Sequence, residues 1–500
     1  MKQIILFVLG ILIFNSLPAQ NVHWGSSHTH KNGEYISKLI AEDDKGIYVL
    51  RRGAQRRDSR AVIIEHYSPD MKLQYSRKIT EIDKTNVFFQ DFFEYNKKLF
   101  ITFTQYRAKE QKHILFYQEV NKHTGELVGN GLSLMTSTSK SKYLQGTFDY
   151  EPSPDSSKAV IFFSEAPNTR VMSYGADRSS NQFSIKVLDD KFEKVWSKKV
   201  TLPYDANLYE HRQIEVDNDG NIYILAKIYD NRIREKVRGK ANYKYKIIAL
   251  REGEERREYD LYLEDKFITD ITFKLDRRTN DIICSGFYSE RNSEGFKGSF
   301  FLAIDKVSKE VSRTGTKEFD VDFMSNFMRE RRAKRGGEVY DFNMRDIVLR
   351  TDGGAVLIAE QFFVRVDNNN FGAYYNNFNN FRYIYHYNDI VVININPDGS
   401  IAWNTFVPKW QRSTNAIYSS FSKAVIRDKI YFVFNESINR RSDVMLATVH
   451  ADGRVDMKDM FKNKESGVII RPSVCEQVDK NEMIIYGEYG RKYKFGRITF

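Results

Sequence analysis

The stretch DNDGNIYILAKIY, residues 217–229, decides the fold. A cluster of Asp, Asn and Gly runs straight into β-branched and aromatic residues. The first group favours tight turns, because these residues tolerate left-handed backbone or bond their own main chain. The unbroken apolar run that follows suits a short strand buried on both faces. The same turn and the same kind of run recur as DDKGIYVLRR (43–52), YNKKLFITFTQ (95–105), PDSSKAVIFFSE (154–165), RRTNDIICSGFYSE (277–290), RTDGGAVLIAEQFF (350–363), IRDKIYFVFNES (426–437) and VDKNEMIIYGEY (478–489), which makes eight copies.

A second pattern follows seven of the eight: a short apolar strand, a turn, and a strand that often carries an aromatic, as in IKVLDDKFEKVWSKKV (185–200) and VVININPDGSIAWNTFV (391–407). Short mixed segments such as ITDITFKL (268–275) and NMRDIVLR (343–350) precede each first pattern and fit innermost strands beside a narrow channel. Each unit therefore supplies four antiparallel strands. The last unit has only KYKFGRITF (492–500) after its first pattern, and NVHWGSS (21–27) is an apolar strand with no partner of its own. Closing a ring with strands from both chain ends removes the free sheet edge. The fold expected is all-β, an eight-bladed β-propeller of four-stranded antiparallel blades whose last blade is closed by the N-terminal strand. Seven blades is the alternative. The roughly 480 residues after Ala19 give about 60 per unit, longer than the 40 to 50 usual for propeller repeats.

A resemblance supports this reading. NPDGSIAW (396–403) and DDKFEKVW (189–196) are similar to repeat units of quinoprotein-type and WD40-like propellers, without meeting the full docking motif. Nearly the whole chain resembles a group of secreted propeller-like proteins of uncharacterised function from Bacteroidota. MRDIVLRTDGGAVLIAEQ (344–361), NDIVVININPDGSIAW (388–403) and KYKFGRITF carry that likeness most clearly. It implies architecture and compartment, and brings no active residues with it.

Residues 1–19 have the layout of a secretory signal peptide: Lys2, an apolar stretch from Ile4 to Phe14, and the small residue Ala19. The apolar stretch is about half of the roughly 20 residues a spanning helix needs. The expected organisation is a signal peptide over 1–19 and a single domain over 20–500, exported to the periplasm or the cell surface, with no transmembrane segment in the mature chain. Cys284 and Cys475 fall in strands three blades apart, beyond the roughly 7 Å a disulfide allows between Cα atoms, and read as small buried side chains. The formal net charge of +11 favours anionic partners such as acidic glycans and is also an ordinary aid to solubility. Nucleic acid is not the partner expected of an exported chain.

Two segments depart from the repeat, both next to the sixth unit. In DVDFMSNFMRERRAKRGGEVYDF (320–342), Phe323, Phe327 and Met328 stand at helical spacing ahead of Arg329, Arg331, Arg332, Lys334 and Arg335, and Gly336 and Gly337 read as a terminator. A short basic helix is expected, either as an anion contact or as a solvated charge run suited to a helix C-terminus. The second segment, residues 364–389, joins the two middle strands of the sixth unit. It sets Phe371, Tyr374, Tyr375, Phe378, Phe381, Tyr383, Tyr385 and Tyr387 among Asn residues, with Arg382 and His386 between them. Tyr and Asn at such density make a contact surface at modest entropy cost; the bland alternative is an extended hairpin or a biased loop. The binding residues expected are Tyr374, Tyr375, Phe378, Phe381, Arg382, Tyr383 and Tyr385, together with the five basic residues of the helix.

No G-x-S-x-G, H-E-x-x-H or phosphate-cradling loop occurs. His23, His28 and His30 lack a Cys or acidic partner at ligand spacing, and Asp-rich turns such as the one at Asp217 lack the closing Glu of a calcium loop. No catalytic residue, metal or cofactor is assigned. Asp91, Asp149, His211, Arg212, Asp270, Arg345 and Asp346 fall on the innermost strands, where opposed carboxylates would serve acid and base roles. The leading expectation is a non-catalytic interaction module that binds a cell-envelope protein or glycan through its loops. The alternative is a glycan-active hydrolase or lyase at the channel mouth.

Overall fold

The computed structural model describes residues 22–500 except 32, 54–61, 80, 83–84, 139–146, 165–180, 232–233, 235, 238–239, 264–265, 277, 280, 291–294 and 369–380. Eight antiparallel blades follow one another along the chain as an eight-bladed β-propeller. Their innermost strands are Tyr35–Asp43, Phe88–Tyr95, Thr147–Pro152, Tyr209–Val216, Phe267–Leu275, Phe342–Leu349, Ser422–Ile426 and, in blade 8, Glu476–Asp479. Innermost strands of neighbouring blades touch, including that of blade 8 against that of blade 1, so the ring is closed.

The turns explain the sequence signature. At the first turn of blade 4, Asp217 Oδ1 accepts from the amides of Asp219 (3.1 Å) and Asn221 (2.8 Å). Gly220 has φ +84°, a left-handed conformation that glycine adopts without strain. The indole of Trp196, on the outer strand of blade 3, donates to the Gly220 carbonyl at 3.2 Å and so fastens one blade to the next. The second strands that follow these turns are apolar on both faces because each blade packs against a neighbour on either side. The main hydrophobic clusters fall accordingly: one couples Phe162 and Ile185 of blade 3 to Ile222 and Ile224 of blade 4, and another couples Tyr223 and Ile247 of blade 4 to Phe273 and Ile282 of blade 5.

Ring closure occurs as the sequence indicates. Val22–Trp24 pairs antiparallel with Lys492–Thr499, with Val22 opposite Ile498 and Trp24 opposite Gly496. A Cβ on Gly496 would sit 2.8 Å from the Trp24 ring, so glycine is what lets the indole lie flat on the sheet. His28–Thr29 extends this pairing, opposite Tyr493 and Lys492. His30 is buried beside it, with Nε2 2.9 Å from the Tyr486 hydroxyl and the ring stacked on Tyr493. Cys284 and Cys475 are free and buried. Cys284 is on the second strand of blade 5, whereas Cys475 caps a short turn just before the innermost strand of blade 8.

Alternating strand direction places the connections inside each blade's two hairpins on one face. The other face carries the links between second and third strands and the links from blade to blade. Both departures from the repeat rise from this second face, beside blade 6. No helix among the described residues is long and apolar enough to cross a membrane.

Candidate functional site

The basic segment forms two short helices, Val321–Ser325 and Glu330–Ala333, instead of the single helix expected. The break has a local cause. Asn326 Nδ2 donates to the carbonyls of Asp322 and Phe323, both at 3.0 Å, and ends the first helix early. Asp320 caps its start by accepting from Phe323 N at 2.7 Å. Gly336, at φ +68°, ends the second helix, and Gly337 N returns to the Arg332 carbonyl at 2.9 Å. Phe323, Met324 and Ala333 are buried against blades 5 and 6, so the pair has a rigid apolar base.

Above that base, Arg329, Arg331, Arg332 and Arg335 line one cavity of about 410 Å³ together with Gly337, Glu338 and Tyr340. Lys334 does not line it and pairs with Glu330 at 2.5 Å. Glu338 is held from below: its Oε1 accepts from Ser289 Oγ (2.7 Å) and Glu290 N (3.1 Å). Arg332 donates to the Glu338 carbonyl at 3.3 Å and lies 5.8 Å from the Tyr340 ring centre. Among the described residues, Arg329 and Arg331 have no acidic partner. The arrangement suits a multidentate anion, since guanidinium groups present several fixed donors to phosphate, sulfate or carboxylate.

The Tyr-rich segment is mostly strand at its flanks. The second and third strands of blade 6 run over Ala355–Asn368 and Phe381–Ile395, so residues 364–368 and 381–389 of the expected loop are strand and extend the blade. Tyr374, Tyr375 and Phe378 lie outside the described residues, and of Phe381 only the backbone is described. Arg382 and Tyr383 are exposed, and Tyr385 is half-buried opposite Val364. A further short strand, Gln411–Ser413, pairs with the third strand at Tyr385–Tyr387.

Two further cavities lie along the innermost strands. A cavity of about 800 Å³ is lined by Arg212, Lys227, Asp270, Lys274, Arg345 and Asp346 among others. A second, of about 560 Å³, shares Arg212 and Gln213 with it and adds Asp91, Asp149, Glu151 and His211. All seven inner-strand residues singled out in the sequence thus border one or the other.

Most of these charges are matched within the protein. Lys38 meets Asp91 at 2.6 Å, Lys423 meets Asp346 at 2.8 Å, and Lys274 meets Glu215 at 2.8 Å. Arg345 binds Glu360 at 2.6 Å. Burial raises the Asp270 pKa, against the pull of amide hydrogen bonds from Met344 (2.8 Å) and Ile271 (3.0 Å). Asp149 and Glu151 are the exceptions, with no hydrogen-bond or ion-pair partner among the described residues. Burial, aided by the nearby Glu215 charge, pushes Glu151 up to about 7.

Four charged lining residues, Glu151, Lys227, Lys274 and Asp341, escaped the sequence reading. Glu151 stands two positions after Asp149, on the same face of its strand by simple alternation. Lys227 is the one cation inside the apolar run of residues 222–229, and its ammonium lies 4.0 Å from the Tyr243 ring centre and 5.3 Å from that of Tyr229. Among the described residues no group of three His, Cys, Asp or Glu is placed to hold a metal ion.

No family model matches the chain, and no curated protein does. It is similar to solved structures at low identity. A crystal structure of the eukaryotic initiation factor aligns over 93% of this chain and 84% of that one, at 8% identity and a TM-score of 0.38. The Pyrococcus horikoshii acylaminoacyl peptidase aligns over 91% of this chain and 58% of its own, at 8% identity and a TM-score of 0.36. A protein of unknown function from Bacteroides caccae aligns over 74% of this chain and 94% of its own, at 7% identity and a TM-score of 0.28.

Proposed function

We propose that this chain is an exported, non-catalytic interaction module that engages an anionic group of a cell-envelope protein or glycan on the face beside blade 6. The observation that carries this reading is the cavity lined by Arg329, Arg331, Arg332 and Arg335. The four arginines are exposed, yet they border one cavity over a packed apolar base, and among the described residues Arg329 and Arg331 have no acidic partner. The exposed Arg382 and Tyr383 rise from the same face, and the net charge of +11 favours the same class of partner. Export rests on the apolar leader between Lys2 and Ala19, with the mature chain starting at Gln20 in the periplasm or at the cell surface.

The test is capture of the tagged mature chain from solubilised envelope, alongside an Arg329→Ala/Arg331→Ala variant, read by mass spectrometry. A partner lost with the two arginines supports the module and names its assembly. A partner retained in full removes the cavity from the account.

A second reading, a glycan-active enzyme in the channel, draws on one observation: Asp149 and Glu151 share a cavity and have no hydrogen-bond or ion-pair partner among the described residues, and burial holds Glu151 at about 7, a value suited to general acid work near neutrality. Cleavage of envelope glycans that disappears in Asp149→Asn and Glu151→Gln would favour it over the first.

A further inference from the structure

The extension of blade 6 leaves a strand edge open. The innermost strand Phe342–Leu349 pairs with the second strand only as far as Gln361. Beyond that point, residues 362–368 pair on one side alone, with the strand Phe381–Ile395. Among the described residues no strand covers the other side. Phe362 N points to that side, because it donates to the Asp341 carbonyl at 2.7 Å. Main-chain groups alternate along an antiparallel strand, so the N–H and C=O groups of Val364 and Val366 face outward along the open edge.

The ribbon's two faces have different chemistry. Val364 opposite Tyr385 and Val366 opposite Tyr383 form one face, and Val364, Val366 and Tyr383 are 41%, 51% and 52% exposed. The other face carries Arg365 opposite the buried Ile384 and, farther along, the exposed Arg382 opposite Asp367, so its net charge is positive. Proteins usually blunt open edges with inward charges, proline or a covering segment. Here the two outward-facing positions are valines.

We propose that this edge receives an extended acidic peptide segment of a partner protein, added as an antiparallel or parallel strand beside Val364 and Val366. Period-two alternation sets the peptide's character: β-branched residues on the face of Val364, Val366 and Tyr383, and carboxylates on the face of Arg365 and Arg382. Main-chain hydrogen bonds supply affinity and alternate side chains supply selectivity. A second copy of this chain is disfavoured as occupant, because antiparallel pairing of two such edges brings both copies of Arg365 and Arg382 onto one sheet face. The proposal rests on the binding-module reading only in sharing its face and does not use the arginine cavity.

The test is fluorescence anisotropy of the mature chain with a labelled peptide alternating Glu and Val, beside one alternating Lys and Val. The Glu–Val peptide is expected to bind saturably and the Lys–Val peptide not to bind. Val366→Pro removes one outward donor without touching the hairpin's own ladder and is expected to weaken binding about tenfold, the worth of one lost hydrogen bond. Arg365→Glu is expected to reverse the preference between the peptides. N-methylation of the peptide's edge-facing amides, which leaves the protein untouched, is expected to abolish binding even where a variant folds poorly.

Equal binding of both peptides, binding of neither, or full binding by Val366→Pro overturns the proposal. Arg329→Ala/Arg331→Ala is expected to keep the Glu–Val peptide. If that variant loses the peptide while Val366→Pro keeps it, the cavity and not the edge is the site. A dimer in sedimentation that Val366→Pro dissolves gives the edge to a second copy and contradicts the proposal.

Discussion

Glu360 Oε1 stands 2.8 Å from Lys409 Nζ, and neither side chain reaches solvent. The contact is a charge pair more than an aligned hydrogen bond. The other carboxylate oxygen takes Arg345 at 2.6 Å and Ser420 Oγ at 2.8 Å, while Lys409 also donates to the Tyr387 carbonyl at 2.8 Å. The cluster ties the innermost, second and third strands of blade 6 to the linker into blade 7. It stands at the root of the hairpin that carries the open edge. Burial pulls the Lys409 pKa down, and the Glu360 charge opposes it.

Removing Lys409 leaves Glu360 Oε1 buried without its counter-charge, while Arg345 still holds Oε2. Lys409→Ala is predicted to cost about 3–5 kcal/mol, seen as a lower urea midpoint with an unchanged slope. A loss under about 1 kcal/mol would mean that water enters and screens the pair.

Ring closure yields a second prediction. Trp24 packs on Gly496, lies edge-on to Phe461 at 5.2 Å, and receives the Lys494 ammonium 4.3 Å from its ring centre. Trp24→Ala should cost roughly 2–3 kcal/mol, below the range for a fully buried Trp. Removing residues 22–24 should also expose the strand Lys492–Thr499 as an edge and promote aggregation, which light scattering during thermal unfolding would register. Equal stability without this strand would mean that the closing strand contributes nothing.

The channel sets a pH dependence through Glu151. Its folded pKa is about 7, above its unfolded value. Below the unfolded value both states hold the proton and Glu151 has no effect. As pH rises from there to about 7 the unfolded chain releases the proton first, so Glu151 destabilises the fold increasingly and then levels off. Glu151→Gln should therefore match the wild type near pH 4 and unfold at higher temperature than it near pH 8. A variant equally displaced at both pH values would place Glu151 in a less buried setting.

Cys284 and Cys475 provide a chemical check on the core. Burial raises both thiols, Cys475 to about 11, so neither forms much thiolate at neutral pH. The native chain should show no reaction with a disulfide exchange reagent, and the denatured chain should show two thiols. A reactive native thiol would indicate that blade 5 or blade 8 opens readily.

The blades were legible in the sequence because each turn carries its own bonding residues, as Asp217 and Gly220 do, and each second strand is apolar on both faces. The closing strand was legible because the last unit lacked one and Val22–Trp24 had no partner. The charged channel followed from placing Asp91, Asp149, Asp270 and Asp346 on innermost strands. What stayed hidden depends on contacts between distant residues. Glu360 and Lys409 meet across a hairpin, and nothing local marks either as buried. The break between the two short helices comes from Asn326 bonding back to carbonyls, which competes with the apolar spacing of Phe323 and Phe327. The open edge beyond Gln361 arises because the innermost strand stops pairing there, a fact of register that composition cannot express.

An anion-binding cavity on the face beside blade 6 can be probed by isothermal titration of the mature chain with dextran sulfate, using neutral dextran as control. Wild type is expected to bind saturably and in a salt-sensitive way, and Arg329→Ala/Arg331→Ala to lose binding with its unfolding temperature unchanged. Binding of equal strength by that variant would contradict this reading.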